Sequence, residues 1–299
     1  MSQKIILAGG SGFLGQALAQ HFKASGDEVV VLTRSPARAN GDARFVQWNG
    51  KTSGAWTREL DGATAVVNLS GRSVDCRYTP VNRQEIMDSR VLPTRALGEA
   101  IARCGQPPRA WLNAATATIY QHSLERANDE ATGAIGGTAA AKDEFSVEVA
   151  QAWEAAFDQA RTPATRHVTL RLAMVLGLGR NSVFPVLRRL ARFGLGGAMG
   201  GGRQFVSWIH VADFCRAIEW LIARDDLAGP VNLVAPNPLT NREMMRAFRE
   251  VCGAPFGLPA TRWMLEVGAF LLRTETELMI KSRRVVPGRL LAAGFEFRF

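Results

Sequence analysis

The sequence predicts an α/β fold built on a doubly wound parallel sheet, with a smaller, mainly helical C-terminal lobe. Three observations predict it. Apolar runs of strand length alternate with amphipathic segments of helix length through residues 1–177. The first two runs are joined through a glycine-rich turn that opens a helix, LAGGSGFLG (7–15). The pattern then changes: 178–299 opens on a region with a second glycine cluster, GLGGAMGGG (194–202), and most of its last sixty residues read as helix. These features make the first part Rossmann-like.

KIILA (4–8) is a buried strand and FLGQALAQHFKASG (13–26) an amphipathic helix stopped at Gly26. DEVVVLTR (27–34) is the second strand, which completes a βαβ unit. RFVQW (44–48) and TAVVNLSG (64–71) follow as strands. Residues 81–105 read as a long helix interrupted at Pro93, with a kink expected there because proline removes a backbone donor. RAWLNAAT (109–116) is a strand, 141–160 a helix and RHVTLRLAMVLG (166–177) the next strand and its exit. Beyond SWIHVADF (207–214), a helix runs to about Arg224, and a strand near 230–234 is expected to return to the sheet. The lobe should cover the carboxyl edge of the sheet, where ligands of such folds bind.

A chain of 299 residues that is 47% hydrophobic can bury a core without staples, which excludes a disordered chain. Cys76, Cys104, Cys215 and Cys252 are far apart and form no CxxC, so neither a disulfide framework nor a metal site is expected. The N-terminus has no signal-peptide layout, and no uncharged apolar run reaches the roughly 18 residues of a membrane span. A soluble, cytoplasmic protein is expected. The net charge of +9 raises nucleic-acid binding, but the arginines are scattered and form no basic block. A small-molecule ligand carrying phosphate uses such charge better.

The first glycine turn carries two overlapping spacings. Gly10, Gly12 and Gly15 fit G-x-G-x-x-G; Gly9, Gly12 and Gly15 fit G-x-x-G-x-x-G. Either lets a phosphate approach bare backbone at a helix N-terminus. The motif follows a strand, opens a helix and sits in a βαβ unit, so a dinucleotide is the expected ligand. At the end of the second strand, where an NAD site places an acid, stand Thr33, Arg34 and Ser35. A guanidinium can fork onto a ribose 2′-phosphate, so NADP(H) is the expected cofactor; the alternative is that Arg34 is only solvated.

Gly9–Gly15, NLSG (68–71) and Thr116 four residues before Tyr120 resemble an extended short-chain dehydrogenase/reductase of the epimerase/dehydratase group. WNG (48–50), QEIMDSRVLPT (84–94), AWE (152–154), RLAMVLG (171–177), SWIHVADF (207–214), PVNLVAPNPLTN (230–241) and VVPGRLLAAGFEF (285–297) together resemble its atypical YfcH-like epimerase family branch. The resemblance covers nearly the whole chain. It implies NADP(H) contacts at Ser11, Phe13, Leu14, Arg34, Leu69, Ser70, Glu85, Arg90 and Val175. Unaided, Glu85 and Arg90 read as solvated helix charges. The family pattern is expected to run slightly beyond FEFRF (295–299).

The resemblance also implies a tyrosine and a lysine one helical turn apart, because a nearby ammonium makes a phenol exchange protons near neutral pH. No Tyr-x-x-x-Lys occurs. Tyr78 is followed four residues on by Asn82, and Tyr120 by Leu124; the corresponding helix positions fall on Ser146 and Ala150. The catalytic candidates are therefore Thr116, Tyr120 and His210. Thr116 either holds a substrate oxygen or is a buried threonine. Tyr120 is an unassisted acid or a stacking wall. Lys142 is either a substitute cation or a solvated one. His210 is a base or a structural histidine bonded to Asp213. The 194–204 loop either approaches a ligand or only connects. Two functions are expected to compete. One is an atypical NADP(H)-dependent oxidoreductase or epimerase acting on a small polar substrate such as a nucleotide-sugar. The other is an NADP(H)-binding sensor without turnover. No membrane partner is expected, and a homodimer is the candidate assembly.

Overall fold

In the computed structural model, which describes residues 2–36, 43–179, 181–272 and 275–299, KIILA forms β1 (Lys4–Ala8). Its side chains alternate between two faces, as the pleat requires. Ile5 and Leu7 enter one apolar cluster, Ile6 and Ala8 the other. The chain continues through α1 (Phe13–Ala24), β2 (Glu28–Thr33), β3 (Arg44–Gln47), β4 (Ala65–Asn68), α2 (Pro80–Ile101), β5 (Ala110–Thr116), α3 (Glu144–Asp158) and β6 (Arg166–Leu172). Short 3₁₀ turns interrupt this order at Ala55–Glu59 and Ala117–Ile119.

After β7 (Met174–Leu176), which ends the first part, the second contains α4 (Phe184–Arg192), β8 (Phe205–Val206), β9 (Trp208–His210), α5 (Val211–Ala223) and β10 (Gly229–Leu233). It ends with β11 (Leu239–Thr240), α6 (Asn241–Cys252), α7 (Arg262–Leu272), α8 (Glu277–Ile280) and α9 (Gly288–Ala292).

The main sheet has seven strands in the order β10-β6-β5-β4-β1-β2-β3, and all its pairs are parallel. The chain starts in the middle, winds outward to β3, then crosses back to β4 and winds the other way. The reversal between β1 and β4 opens the crevice in which doubly wound folds hold ligands. Phe22 of α1 and Phe214, Ile218 and Leu221 of α5 bury one face. Ala96, Leu97 and Ala100 of α2 and Phe157 of α3 bury the other, around Trp111. Each large apolar side chain buried this way is worth about 1.5–3 kcal/mol.

Two expectations need correction. Helix α2 is not interrupted at Pro93. Its ring is buried beside Gly50, where a Cβ would lie 3.3 Å from Pro93 Cγ, so packing outweighs the missing backbone bond. The C-terminal lobe, expected to be mainly helical, also holds short strands: β8 pairs with β11, and β9 pairs with β7 at the end of the first part. The expected return to the sheet is present, since β10 pairs with β6 at the edge.

The 194–204 loop behaves as a connector. Gly194, Gly200, Gly201 and Gly202 have φ of +72°, +58°, +95° and +75°. Gly194 O accepts from Leu258 N, and Gly200 N donates to Ala260 O. The loop is spent within its own lobe.

Candidate functional site

Four carboxyl-edge segments converge on the crevice: the glycine turn after β1, the end of β2, the Leu69–Ser70 turn after β4 and the exit of β5. The glycine turn is built from contacts a side chain would forbid. A Cβ on Gly9, whose φ is +70°, would meet the Ser70 backbone at 2.8 Å. A Cβ on Gly15 would lie 2.3 Å from Gly10 Cα, so the helix packs directly on the turn. At Gly12 nothing lies within 4 Å. Gly12 is also the N-cap of α1, whose first turn has no acidic residue and no side-chain cap. Bare, outward-facing backbone N–H groups at a helix start suit an anion.

Ser70 sharpens this. Its Oγ is buried and has no partner, a cost that a bound ligand would relieve. Below it, Ser70 N donates to Asn68 Oδ1 at 3.0 Å, while Asn68 Nδ2 donates to Asn113 Oδ1 at 2.7 Å and to Thr94 Oγ1 at 3.2 Å. Trp153 Nε1 donates to the same Thr94 oxygen at 3.1 Å. These fully buried polar groups fix the turn, and nothing in the strand pattern announced them. Phe13 closes the turn from outside: a Cβ on Gly179 would lie 2.3 Å from its ring, so Gly177 and Gly179 make room for it.

The other sequence-predicted cofactor residues distribute as follows. Ser11 and Arg34 are exposed, Leu14, Leu69 and Val175 half-buried, and Thr33 buried at the end of β2. Arg90 is not a solvated charge. It stacks 5.2 Å over Trp153, donates from Nη2 to Arg72 O at 3.1 Å, and lies against Gly71. Burial pulls its guanidinium down to about 10. Glu85 is exposed and paired with Arg72.

The catalytic candidates fare differently. Thr116 Oγ1 accepts from Thr118 N at 3.1 Å and starts the turn after β5; it stands at the carboxyl edge. Tyr120 must be corrected. Its ring is 2% exposed, and its hydroxyl donates to Asn232 Oδ1 at 3.0 Å and accepts from Arg171 Nη1 at 2.8 Å. Burial pushes this phenol up despite the Arg171 cation. It is a strut beneath the site, and neither an open acid nor a stacking wall. His210 is also structural, but its bond is not to Asp213: Nδ1 accepts from Ala212 N at 3.2 Å, capping α5, and the ring lies 3.9 Å from that of Phe299. Lys142 is exposed, 4.0 Å from Glu266.

The polar groups gather elsewhere, around Tyr78, Glu277 and Ser146, the last at the helix position that corresponds to the family's tyrosine. Tyr78, half-buried on the turn before α2, points its hydroxyl at Ser146 Oγ, 3.4 Å away on the first turn of α3. Ser146 Oγ donates to Glu277 Oε2 at 2.9 Å. Glu277 is 4% exposed, and its Oε1 has no partner. Beside it, the fully buried Lys281 pairs with Asp143 and donates to Thr118 O at 2.6 Å. Arg283 Nε donates to Thr118 Oγ1 at 3.1 Å. Burial raises the Glu277 carboxyl and lowers the Lys281 ammonium from their ordinary values. Three distant segments thus meet at the exit of β5. Only the rarity of tyrosine could have flagged Tyr78 in the sequence. Among the described residues, no group of three His, Cys, Asp or Glu side chains could hold a metal ion, and no helix is long and apolar enough to cross a membrane.

A glycine cradle at the switch point of a parallel sheet defines a dinucleotide-binding type of protein. The chain belongs to the NAD dependent epimerase/dehydratase family, whose model matches residues 5–234; residues 260–299 match a separate domain of unknown function, DUF1731. It is 34% identical to the epimerase family protein SDR39U1 of Bos taurus, over 99% of this chain and 96% of that protein. The crystal structure of human epimerase family protein SDR39U1 (isoform 2) with NADPH superposes with a TM-score of 0.85. It is 28% identical, with 99% of this chain and 95% of that chain covered. A nucleoside-diphosphate sugar epimerase from Corynebacterium glutamicum gives 0.75 at 26% identity, with 100% of this chain and 56% of that one covered.

Proposed function

We propose that this chain, of the YfcH-like branch, is an NADP(H)-dependent oxidoreductase or epimerase acting on a small polar carbonyl or alcohol, with a nucleotide-sugar as the leading substrate class. The observation that carries the cofactor reading is the cradle itself. Gly9, Gly12 and Gly15 leave bare backbone beside the unpartnered Ser70 hydroxyl. In this reading Ser11, Phe13, Leu14, Leu69 and Val175 line the dinucleotide, Thr33 and Arg34 meet its ribose phosphate, and Arg90 and Glu85 hold the turn above it. The NADPH of the human relative supports this choice of cofactor. Bound NADP(H) supplies or accepts a hydride; the chain's own groups position the substrate and move the proton. In this reading Thr116, at the β5 exit, holds a substrate oxygen. The protein is taken as cytoplasmic and its working assembly as a homodimer; sedimentation of the purified protein checks the assembly.

Parallel calorimetric titrations with NADPH and NADH test the reading. NADPH should bind tighter. Arg34→Ala should cost about 1.5–3 kcal/mol, roughly ten- to hundredfold, for NADPH and little for NADH. No binding of either nucleotide would overturn it. A second reading, an NADP(H) sensor without turnover, is favoured by the missing Tyr-x-x-x-Lys and by the enclosed Tyr120 hydroxyl. Sustained NADPH oxidation with any carbonyl compound excludes it.

A further inference from the structure

We propose that Tyr78 is the proton donor of this site and that buried Glu277 recharges it through Ser146, so the proton travels a relay assembled from three segments. The proposal rests on the oxidoreductase reading above and assigns the group that reading lacks.

The geometry is that of a chain. Tyr78 Oη and Ser146 Oγ are 3.4 Å apart, and Ser146 Oγ and Glu277 Oε2 are 2.9 Å apart. Every link is an exchangeable oxygen. The Tyr78 ring is held edge-on against Phe145 at 4.9 Å, and its backbone N donates to Glu275 Oε1 at 2.9 Å, so the phenol is fixed rather than hanging from a loose loop. The far end is more telling. A carboxyl group 4% exposed, with one oxygen unpartnered, is a standing cost. Groups kept at such cost in a crevice are candidates for function.

The surroundings set the direction of the chemistry. Glu275, Cys76, Asp143, Lys281, Arg283 and Arg90 face this group; the acidic groups push the same way as burial, and burial outweighs the cations. The Tyr78 phenol is pushed up to about 12, with burial the main cause and Glu277 adding to it. The Glu277 carboxyl is also raised by burial, against the pull of Ser146, Arg283 and Lys281. Burial therefore favours the protonated form of each group. No lysine stands four residues beyond Tyr78, where Asn82 lies. The relay is set to give a proton, which suits carbonyl reduction over alcohol oxidation.

In that direction the balance is simple. As the carbonyl carbon gains a hydride, its oxygen takes the Tyr78 proton; the phenol O–H breaks and the alcohol O–H forms. Once the Ser146 hydroxyl turns from Glu277 Oε2 toward the phenol oxygen, Tyr78 regains a proton from Ser146, and Ser146 regains one from the Glu277 carboxyl. The carboxylate left behind is reprotonated from solvent. One NADPH and one proton are consumed per alcohol formed.

Infrared difference spectroscopy of the full-length protein tests the relay without any turnover. At neutral pH the wild type should show the carbonyl stretch of a protonated carboxyl group. The band should vanish in Glu277→Gln and shift in both Ser146→Ala and Tyr78→Phe. Its absence from the wild type, or its indifference to the last two substitutions, overturns the proposal. NADPH titration of the same samples reports separately on the cofactor reading. Where NADPH-dependent reduction of 4-nitrobenzaldehyde, used as a carbonyl probe, is measurable, Tyr78→Phe should lower kcat by about 10²-fold or more while NADPH affinity stays unchanged. An unchanged kcat overturns the assignment of Tyr78.

Discussion

Tyr120 and Tyr78 are the only tyrosines of the chain, and their environments assign them opposite work. The Tyr120 hydroxyl joins Arg171 to Asn232, and Arg171 is held in turn by a two-pronged pair with Glu154 at 2.9 and 2.8 Å. Tyr120→Phe leaves a buried guanidinium N–H and a buried amide oxygen unpaired. It should cost about 1–3 kcal/mol in urea unfolding and leave NADPH affinity unchanged. The sequence pointed to Tyr120 because it follows a strand, which is sound for position and silent about direction. Its partners lie 51 and 112 residues away, and no local spacing encodes such a pairing. The glycine cradle was legible because its meaning is local: three glycines between a strand and a helix specify a turn whatever surrounds them.

Helix α3 explains why the Tyr-x-x-x-Lys pattern is missing from the place where it is sought. Ala150 is fully buried among Ala117, Ile119, Tyr120, Val234 and Val285. A lysine there would put an ammonium into an apolar cluster. Ala150→Lys should destabilise the fold by about 3–5 kcal/mol, read from the denaturant midpoint, and should not create activity. The absence is thus built into the packing of this helix against the C-terminal segment. Helices α1 and α3 were readable because burial on one face writes a period into the chain, and the strands of the main sheet because burial on both faces leaves short apolar runs between turns. Strands of two or three residues, such as β8 and β9, are too short to carry one. Proline chemistry alone could not foresee that Gly50 would seat Pro93 inside α2.

At the scale of the whole molecule, the C-terminal segment is stitched into the first part. Leu290 and Phe295 belong to the same apolar cluster as Ile5 and Leu7. Asp213, fully buried, accepts from the backbone N–H groups of Arg298 and Phe299 and from Arg216. Ser123 N donates to Ser282 O, and Asn128 N to Arg284 O. The expected boundary at 177 is therefore a change of character along the chain that the core crosses. Thermal unfolding should be a single cooperative transition. Ending the chain at Gly294 should lower its midpoint by removing Phe295, worth about 1.5–3 kcal/mol, and by stripping Asp213 of two donors.

The shared cluster also sets an order of events on the ribosome. Ile5 emerges early, but Phe295 follows it by 290 residues. At about 5–20 residues per second, the first strand waits roughly 15–60 s before its core can close. During that interval the apolar face between α1 and α5 lacks its last side chains. The nascent chain is then a client for any factor that shelters exposed hydrophobic surface, and synonymous codon changes late in the message would lengthen the exposure of its beginning.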